Sequence, residues 1–241
     1  MVMGRENLKK AIAFLVVLLA ISTASMIYLS SIEDVAFDHD LYLDKFDEYE
    51  VQLHFYPYTN LTNESKVLID YLENGAGEID SNFYNEKEKI HLVEVRGLFW
   101  WVRVLLNASV VLSIISMFLL LFFVRRYTAK MKPQFHREYF KKVLSRLLVL
   151  TGWIVDGTAV VCGLMMLGFS WSFVWFHKIL FRTNTWMLNP RVDNLIKMFP
   201  QEFFFDMFVR IVVMSVLTAT VMLVVGYLIR LGKPKFMEKK K

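Results

Sequence analysis

His91 and His177 are the side chains of this sequence best suited to moving protons. An imidazole takes up and returns a proton near neutral pH, which few other side chains do unaided. Each stands just outside a long apolar run, and the charge pattern puts both on one side of a membrane. Two imidazoles at one lipid–water boundary suggest general acid–base work on a substrate held there. Taken alone, His91 also reads as a solvated histidine on an acidic juxtamembrane helix, with Glu94 about one turn on and able to orient or charge the ring. His177 lies among Trp175, Phe176, Ile179, Leu180 and Phe181, where a polar ring needs a hydrogen-bond partner or must reach the headgroups with its tip. His39 and His54 fall in an acidic stretch without apolar surroundings, and His136 lies in a basic run.

Other chemistries find little support. The chain has no G-x-S-x-G, H-E-x-x-H, Walker or CxxC motif. The single cysteine, Cys162, lies inside an apolar run and makes a poor nucleophile. A zinc site from His91, His177 and either Glu94 or Asp193 is arithmetically possible, but no ligand pair has a characteristic spacing. Arg96 and Arg182 flank the histidines and are candidates to hold an anionic headgroup or an oxyanion, with headgroup snorkelling as the alternative.

These residues must be positioned by membrane helices. Of the 241 residues, 56% are apolar, and they run on instead of recurring with a period. Ala11–Leu29, Val104–Val124 and Ile211–Ile229 carry no charge, and Leu147–Ser170 carries only Asp156. Each is close to the roughly 20 residues a helix needs to cross the hydrocarbon core, and a helix satisfies its own backbone there. The expected fold is an all-α membrane protein with four transmembrane helices, near 10–31, 100–124, 146–170 and 206–230, in one integral membrane domain over 1–241. A small extracytoplasmic cap is expected over 32–97, and an extracytoplasmic interfacial element over 171–205 before the fourth span. The first span reads as an uncleaved anchor, being longer than the apolar region of a signal peptide.

Charge sets the orientation. Arg5, Lys9 and Lys10 precede the first span; Arg125 to Arg146 between the second and third contains eight bases against Glu138 alone; and Arg230, Lys233, Lys235 and Lys239 to Lys241 follow the fourth. By the positive-inside rule these segments and both termini are cytoplasmic. Residues 32–97 carry 16 acids and 5 bases and belong outside. The net charge of +5 therefore sums basic inner segments and an acidic outer one, and points to anionic lipid instead of nucleic acid.

Within the cap, alternation from Tyr49 to Phe55 reads as a strand. Thr62-Asn63-Glu64 can cap a short helix to about Glu73 that ends at Gly75, with Val67, Leu68, Tyr71 and Leu72 as its apolar face. Asn85–Arg103 reads as an amphipathic lead-in to the second span, with His91, Glu94 and Leu98 on one face and Phe99, Trp100 and Trp101 at headgroup depth. The stretch Trp171–Phe181 is too apolar for a free loop and too short to cross again; Asn189-Pro190 and Phe199-Pro200 are breaks. Asp156 should face the bundle or a polar cavity, as a packing group or a proton carrier, with Gly157 allowing close helix approach. Asp206 and Arg210 are one turn apart, close enough to pair.

Two stretches resemble a known family. Glu88-Lys-Ile-His91-Leu-Val-Glu94-Val95-Arg96 resembles a motif in which His is followed three residues later by Asp-Val. Phe176-His177-Lys-Ile-Leu-Phe181, with Trp186, Asn189-Pro190, Asp193, Leu195-Ile196, Phe199-Pro200 and Phe203-Phe204, resembles a second. The family is the bacterial lipoprotein intramolecular transacylases. Glu94 stands where that pattern more often has Asp, and Leu180 where it has an aromatic.

The resemblance implies a cell-membrane enzyme without a cofactor. It moves the sn-2 acyl chain of a diacylglyceryl-modified lipoprotein cysteine to the α-amino group of that cysteine, giving a lyso-form lipoprotein. It further implies that His91 and His177 are catalytic. From their own positions, Arg96, Arg182 and Trp186 are expected to contact substrate, and Glu94 and Asp193 to support the site. Two rival readings of the same residues are a zinc-dependent membrane lipid or peptide hydrolase, and a non-enzymatic membrane sensor or assembly factor whose acidic cap binds a partner.

Overall fold

A computed structural model describes residues 4–232. The basic positions Lys233, Lys235 and Lys239 to Lys241 lie outside the described residues. In chain order the helices are α1 (Arg5–Ala36), α2 (His39–Glu48), a 3₁₀ turn (Val51–His54), α3 (Leu61–Asn74), α4 (Glu86–Thr128), α5 (Pro133–Met166), α6 (Phe169–Leu180), α7 (Asn194–Met198) and α8 (Gln201–Leu231). No strand occurs among the described residues. Four helices, α1, α4, α5 and α8, are long and apolar enough to cross a membrane. The fold is thus all-helical with four candidate spans.

The chain divides into two compact units, each built from several stretches. The first comprises the described parts of Met1–Ser30, Leu105–Val161 and Val213–Lys241. Its core is a seam along α1, in which Leu8, Ile12, Leu15 and Leu19 recur every three or four residues and meet Leu120, Val124, Tyr127, Val143 and Leu147. The opposite side of α1 leaves Phe14, Val17 and Ile21 outside the protein, as a lipid-facing surface requires. Polar groups inside the bundle are used between helices. Ser113 Oγ meets Ser22 Oγ at 2.8 Å, Tyr28 donates to the Val155 carbonyl at 2.9 Å, and Ser145 to that of Gly226 at 2.8 Å.

Close approach in this unit occurs at Gly152 and Gly226. A Cβ on Gly152 would meet the Leu223 side chain, 2.8 Å from its Cδ2, and one on Gly226 would lie 2.8 Å from Val149 Cγ2. At Gly157, where close approach was expected, nothing comes within 4 Å. The glycine beside Asp156 is not on the packed face, whereas Gly152, five residues earlier, is. Asp156 itself is half-buried, and its Oδ1 is enclosed without a hydrogen-bond partner among the described residues.

The second unit comprises Ser31–Val104 and Cys162–Val212. Its cap consists of helices joined by irregular connections, with no strand among the described residues, so the strand expected over Tyr49–Phe55 is not formed. Asp38 caps α2 by accepting from the Leu41 N–H at 3.1 Å, and α2 runs through most of the mixed stretch. Glu50, at φ 51°, then turns the chain into the 3₁₀ turn. The alternating apolar positions never shared a buried face: Val51 is 1% exposed, but Leu53 is 76% exposed. The helix expected from Thr62 is α3, capped two residues earlier by Asn60 and closed at Gly75. Tyr42 packs edge-on against Phe199 and Phe203, with ring centroids 5.6 and 5.1 Å apart, and anchors α2 to the segment leading into α8.

The Asp206–Arg210 pair that this spacing allows is replaced by longer-range partners. Asp206 takes Lys45 and the Tyr49 hydroxyl (2.6 Å) from the cap, while Arg210 reaches Asp38 at 3.3 Å. Arg103 pairs with Glu33 at 3.1 Å. Helix α4 has 43 residues, about 65 Å of rise, roughly twice what the hydrocarbon core needs. Its uncharged run begins at Val104, and the turns before that run bear His91. Helix α5 ends at Met166, and α6 starts at Phe169 after the turn at Gly168. With 12 residues α6 is too short to cross.

Candidate active site

His91 comes from the pre-span turns of α4, and His177 from the last turn of α6. Both are buried, at 6% and 8% exposure, and their ring centroids are 6.1 Å apart. Phe181, the residue that ends α6, holds them together: its ring lies edge-on to His91 at 4.7 Å and stacks on His177 at 5.2 Å. Phe173 (4.2 Å), Trp186 (5.1 Å) and Phe176 (5.4 Å) complete an aromatic wall around His177.

The two rings differ in their hydrogen bonding. His177 Nδ1 lies 2.7 Å from the Phe173 carbonyl. A carbonyl only accepts, so Nδ1 carries the proton and Nε2 keeps the free lone pair. His91 Nδ1 is buried and has no hydrogen-bond partner among the described residues. Burial foremost, and neighbouring His177 after it, bring the His91 pKa down to about 4 against the opposing pull of Glu94. Burial also lowers His177, against the Phe173 carbonyl. Both imidazoles are therefore neutral at neutral pH, the state in which each can accept at one nitrogen and donate at the other.

The other candidates are placed unevenly. Trp186 lies in the site. Glu94 does not bond His91; it accepts from the Thr183 hydroxyl at 2.8 Å, the Thr183 N–H at 3.3 Å and the Thr185 hydroxyl at 3.3 Å, pinning the loop after α6 to α4. Asp193 is remote from the rings in its bonding. It accepts from Asn85 Nδ2 and the Asn189 N–H, each at 2.7 Å, and so closes the loop before α7. Arg96 lays its guanidinium over the Tyr71 ring at 5.0 Å, with Nη1 buried and unpartnered among the described residues. Arg182 is exposed beside Phe181. Among the described residues, no group of three His, Cys, Asp or Glu side chains is placed to hold a metal ion.

A family model described as "Lipoprotein intramolecular transacylase Lit" matches residues 16–204, a range that contains every residue of this site. The chain belongs to the lipoprotein intramolecular transacylase family. It is therefore an acyltransferase enzyme, integral to the membrane, with a lipoprotein as the substrate its family name specifies.

Solved structures of the membrane-integral transacylase Lit from Bacillus cereus have the same fold. One aligns with TM-score 0.72 at 19% identity, covering 91% of this chain and 95% of that one. A variant of it with one histidine replaced by arginine aligns at 0.71 and 22% identity, covering 98% and 100%. A comparison with curated proteins finds no match.

For this transacylase, sequence reasoning missed how the site is framed. Glu88 is fully buried one turn before His91 and accepts from the Asn85 N–H (2.7 Å) and the Leu195 N–H. Its carboxylate joins the start of α4 to α7, and burial raises its pKa against those backbone donors. A signal was present: three-residue steps put Glu88, His91 and Glu94 on one face of a helix. Phe181 and Phe173 carried no signal beyond being apolar, because which ring faces an imidazole is set by the turn after α6.

Proposed function

We propose that this enzyme moves the sn-2 acyl chain of a diacylglyceryl-modified lipoprotein cysteine to the α-amino group of the same cysteine, with His91 and His177 as its acid–base pair. The observation that carries this reading is the pair of buried, neutral imidazoles 6.1 Å apart in an aromatic enclosure. The substrate amine has a pKa of about 7.7–8.0, so it must lose a proton before it attacks. The free Nε2 of His177 suits it as the base. Nitrogen attacks the ester carbonyl, the new amide C–N bond forms, and the amine proton passes to Nε2. As the ester C–O bond breaks, the departing glycerol oxygen takes the proton that His177 gained, relayed through His91, and becomes the free sn-2 hydroxyl, which leaves both imidazoles neutral again. Donor and acceptor belong to one molecule, so holding the headgroup folded supplies a large effective concentration, and no acyl-enzyme is needed.

Arg96 and Arg182 are assigned to the substrate's polar oxygens and Trp186 to its glyceryl or acyl portion, while Glu94 and Asp193 hold the loops that carry them. Basic inner segments and an acidic outer cap support an extracytoplasmic site with cytoplasmic termini. In this arrangement 10–31, 100–124, 146–170 and 206–230 span a single membrane domain, and α6 lies at the interface.

The test is mass spectrometry of a lipoprotein N-terminal peptide from cells bearing the parent or a variant. The parent should give the N-acyl, monoacylglyceryl form. His91→Ala and His177→Ala should insert normally and each lower the rate about 10²–10⁴-fold. Unchanged lyso product from both variants would refute the assignment.

A further inference from the structure

The first unit contains a cavity of about 1320 Å³ that the transacylation chemistry does not use. Its wall comes from α1, α5 and α8, with Tyr127 of α4, and it is open on one side. On α5, Lys142 and Arg146 are followed by Val149 and Trp153 at steps of three or four residues, which puts all four on one face. On α1, Lys9 is followed in the same order by Ile12 and Val16. Helix α8 runs the other way and delivers Arg230 at its end. The lining therefore changes from cationic to apolar over about 10 Å along the helices.

One acid, Glu138, also lines the cavity, and it is paired with Lys141 at 3.3 Å. Lys9, Lys142, Arg146 and Arg230 have no ion pair or hydrogen bond among the described residues. Four cations gathered without counter-charge repel one another, and an anion among them relieves that repulsion. The chain beyond residue 232 does not suit the place, because it carries five lysines against Glu238 alone.

We propose that this cavity is a binding site for an anionic phospholipid. The phosphate sits among Lys142, Arg146, Lys9 and Arg230, and an acyl chain runs along Val149 and Trp153. A headgroup attached to an aliphatic chain matches the charged-to-apolar order of the wall, and the bilayer supplies such molecules at this depth. The site is separate from the His91–His177 pair in sequence, fold unit and chemistry.

Native mass spectrometry of the full chain in detergent, titrated with phosphatidylglycerol or phosphatidylcholine, tests this. The parent should retain one phosphatidylglycerol at least about tenfold better than phosphatidylcholine. The double variant Lys142→Gln/Arg146→Gln should lose that preference while keeping its unfolding temperature in lipid-free detergent. Arg125→Gln/Arg126→Gln, which removes neighbouring basic charge outside the cavity, should keep it. Equal retention of both lipids, equal losses in the two double variants, or displacement of the lipid by millimolar inorganic phosphate would each overturn the proposal. Truncation after Gly232 should leave retention unchanged; a severalfold rise would place the tail in the cavity instead.

Discussion

Acidification should reach His91 much later than an ordinary histidine. With a pKa of about 4, its ring at pH 5.5 is only about 3% protonated, whereas an imidazole at the usual 6.5 would be about nine-tenths protonated. The cause is geometric: the ring is 6% exposed, Phe181 covers one side, and His177 stands 6.1 Å away. The difference between 6.5 and about 4 corresponds to roughly 3 kcal/mol in favour of the neutral ring in the folded protein. Between those values the unfolded chain binds the proton and the folded one does not. Stability is therefore fully present above about pH 6.5, is lost progressively as pH falls through the window, and levels off below about 4. Carboxylates titrate in the same range, so the informative quantity is the stability difference between the parent and His91→Gln. That difference should move by about 3 kcal/mol against the parent from pH 7 to pH 4. Histidine ring NMR of labelled protein in micelles gives the midpoint directly, and reversible unfolding at each pH gives the energy. A His91 midpoint at or above 6.5, or a stability difference that does not change with pH, would refute the reasoning.

Activity, corrected for ionisation of the substrate amine, should keep its acid limb below pH 6.5, since His177 is also lowered; a limb at or above 6.5 in a pH–rate profile would contradict this. Glu88→Ala should strand the Leu195 and Asn85 N–H groups and lower stability by about 2–4 kcal/mol, read as an earlier unfolding transition. Gly226→Ala should cost about 1–3 kcal/mol, because its Cβ would meet Val149 Cγ2 at 2.8 Å and Val149 N at 3.2 Å, whereas Gly157→Ala, with nothing within 4 Å, should be neutral or slightly stabilising in the same assay. Dialysis against EDTA should leave turnover unchanged, as no metal-ligating trio exists among the described residues; a loss restored by zinc would overturn that expectation.

Much of the architecture was legible in the chain because the bilayer admits few solutions. Runs such as Val104–Val124 must become helices, since no other single segment satisfies its backbone in lipid. The amphipathic lead-in before the second span was readable from three- and four-residue spacing, and α4 continues through it unbroken. The cap was harder to read. Tyr49–Phe55 alternates as a strand would, but Asp38 caps a helix just before it, and among the described residues no second strand exists to pair with it. Gly157 was credited with a close contact that belongs to Gly152, because helix rotation depends on the partner helix and not on local sequence.

At the site, residue type alone marked His91 and His177, since imidazoles beside apolar runs are scarce and chemically useful. Their meeting was a matter of tertiary structure. They lie 86 positions apart, and only the packing of α6 against α4, held by Glu94 to Thr183 and Glu88 to Leu195, brings the rings to 6.1 Å. The same packing buries them and so determines that both are neutral, a property no single stretch of sequence encodes, because burial is the sum of contributions from distant elements.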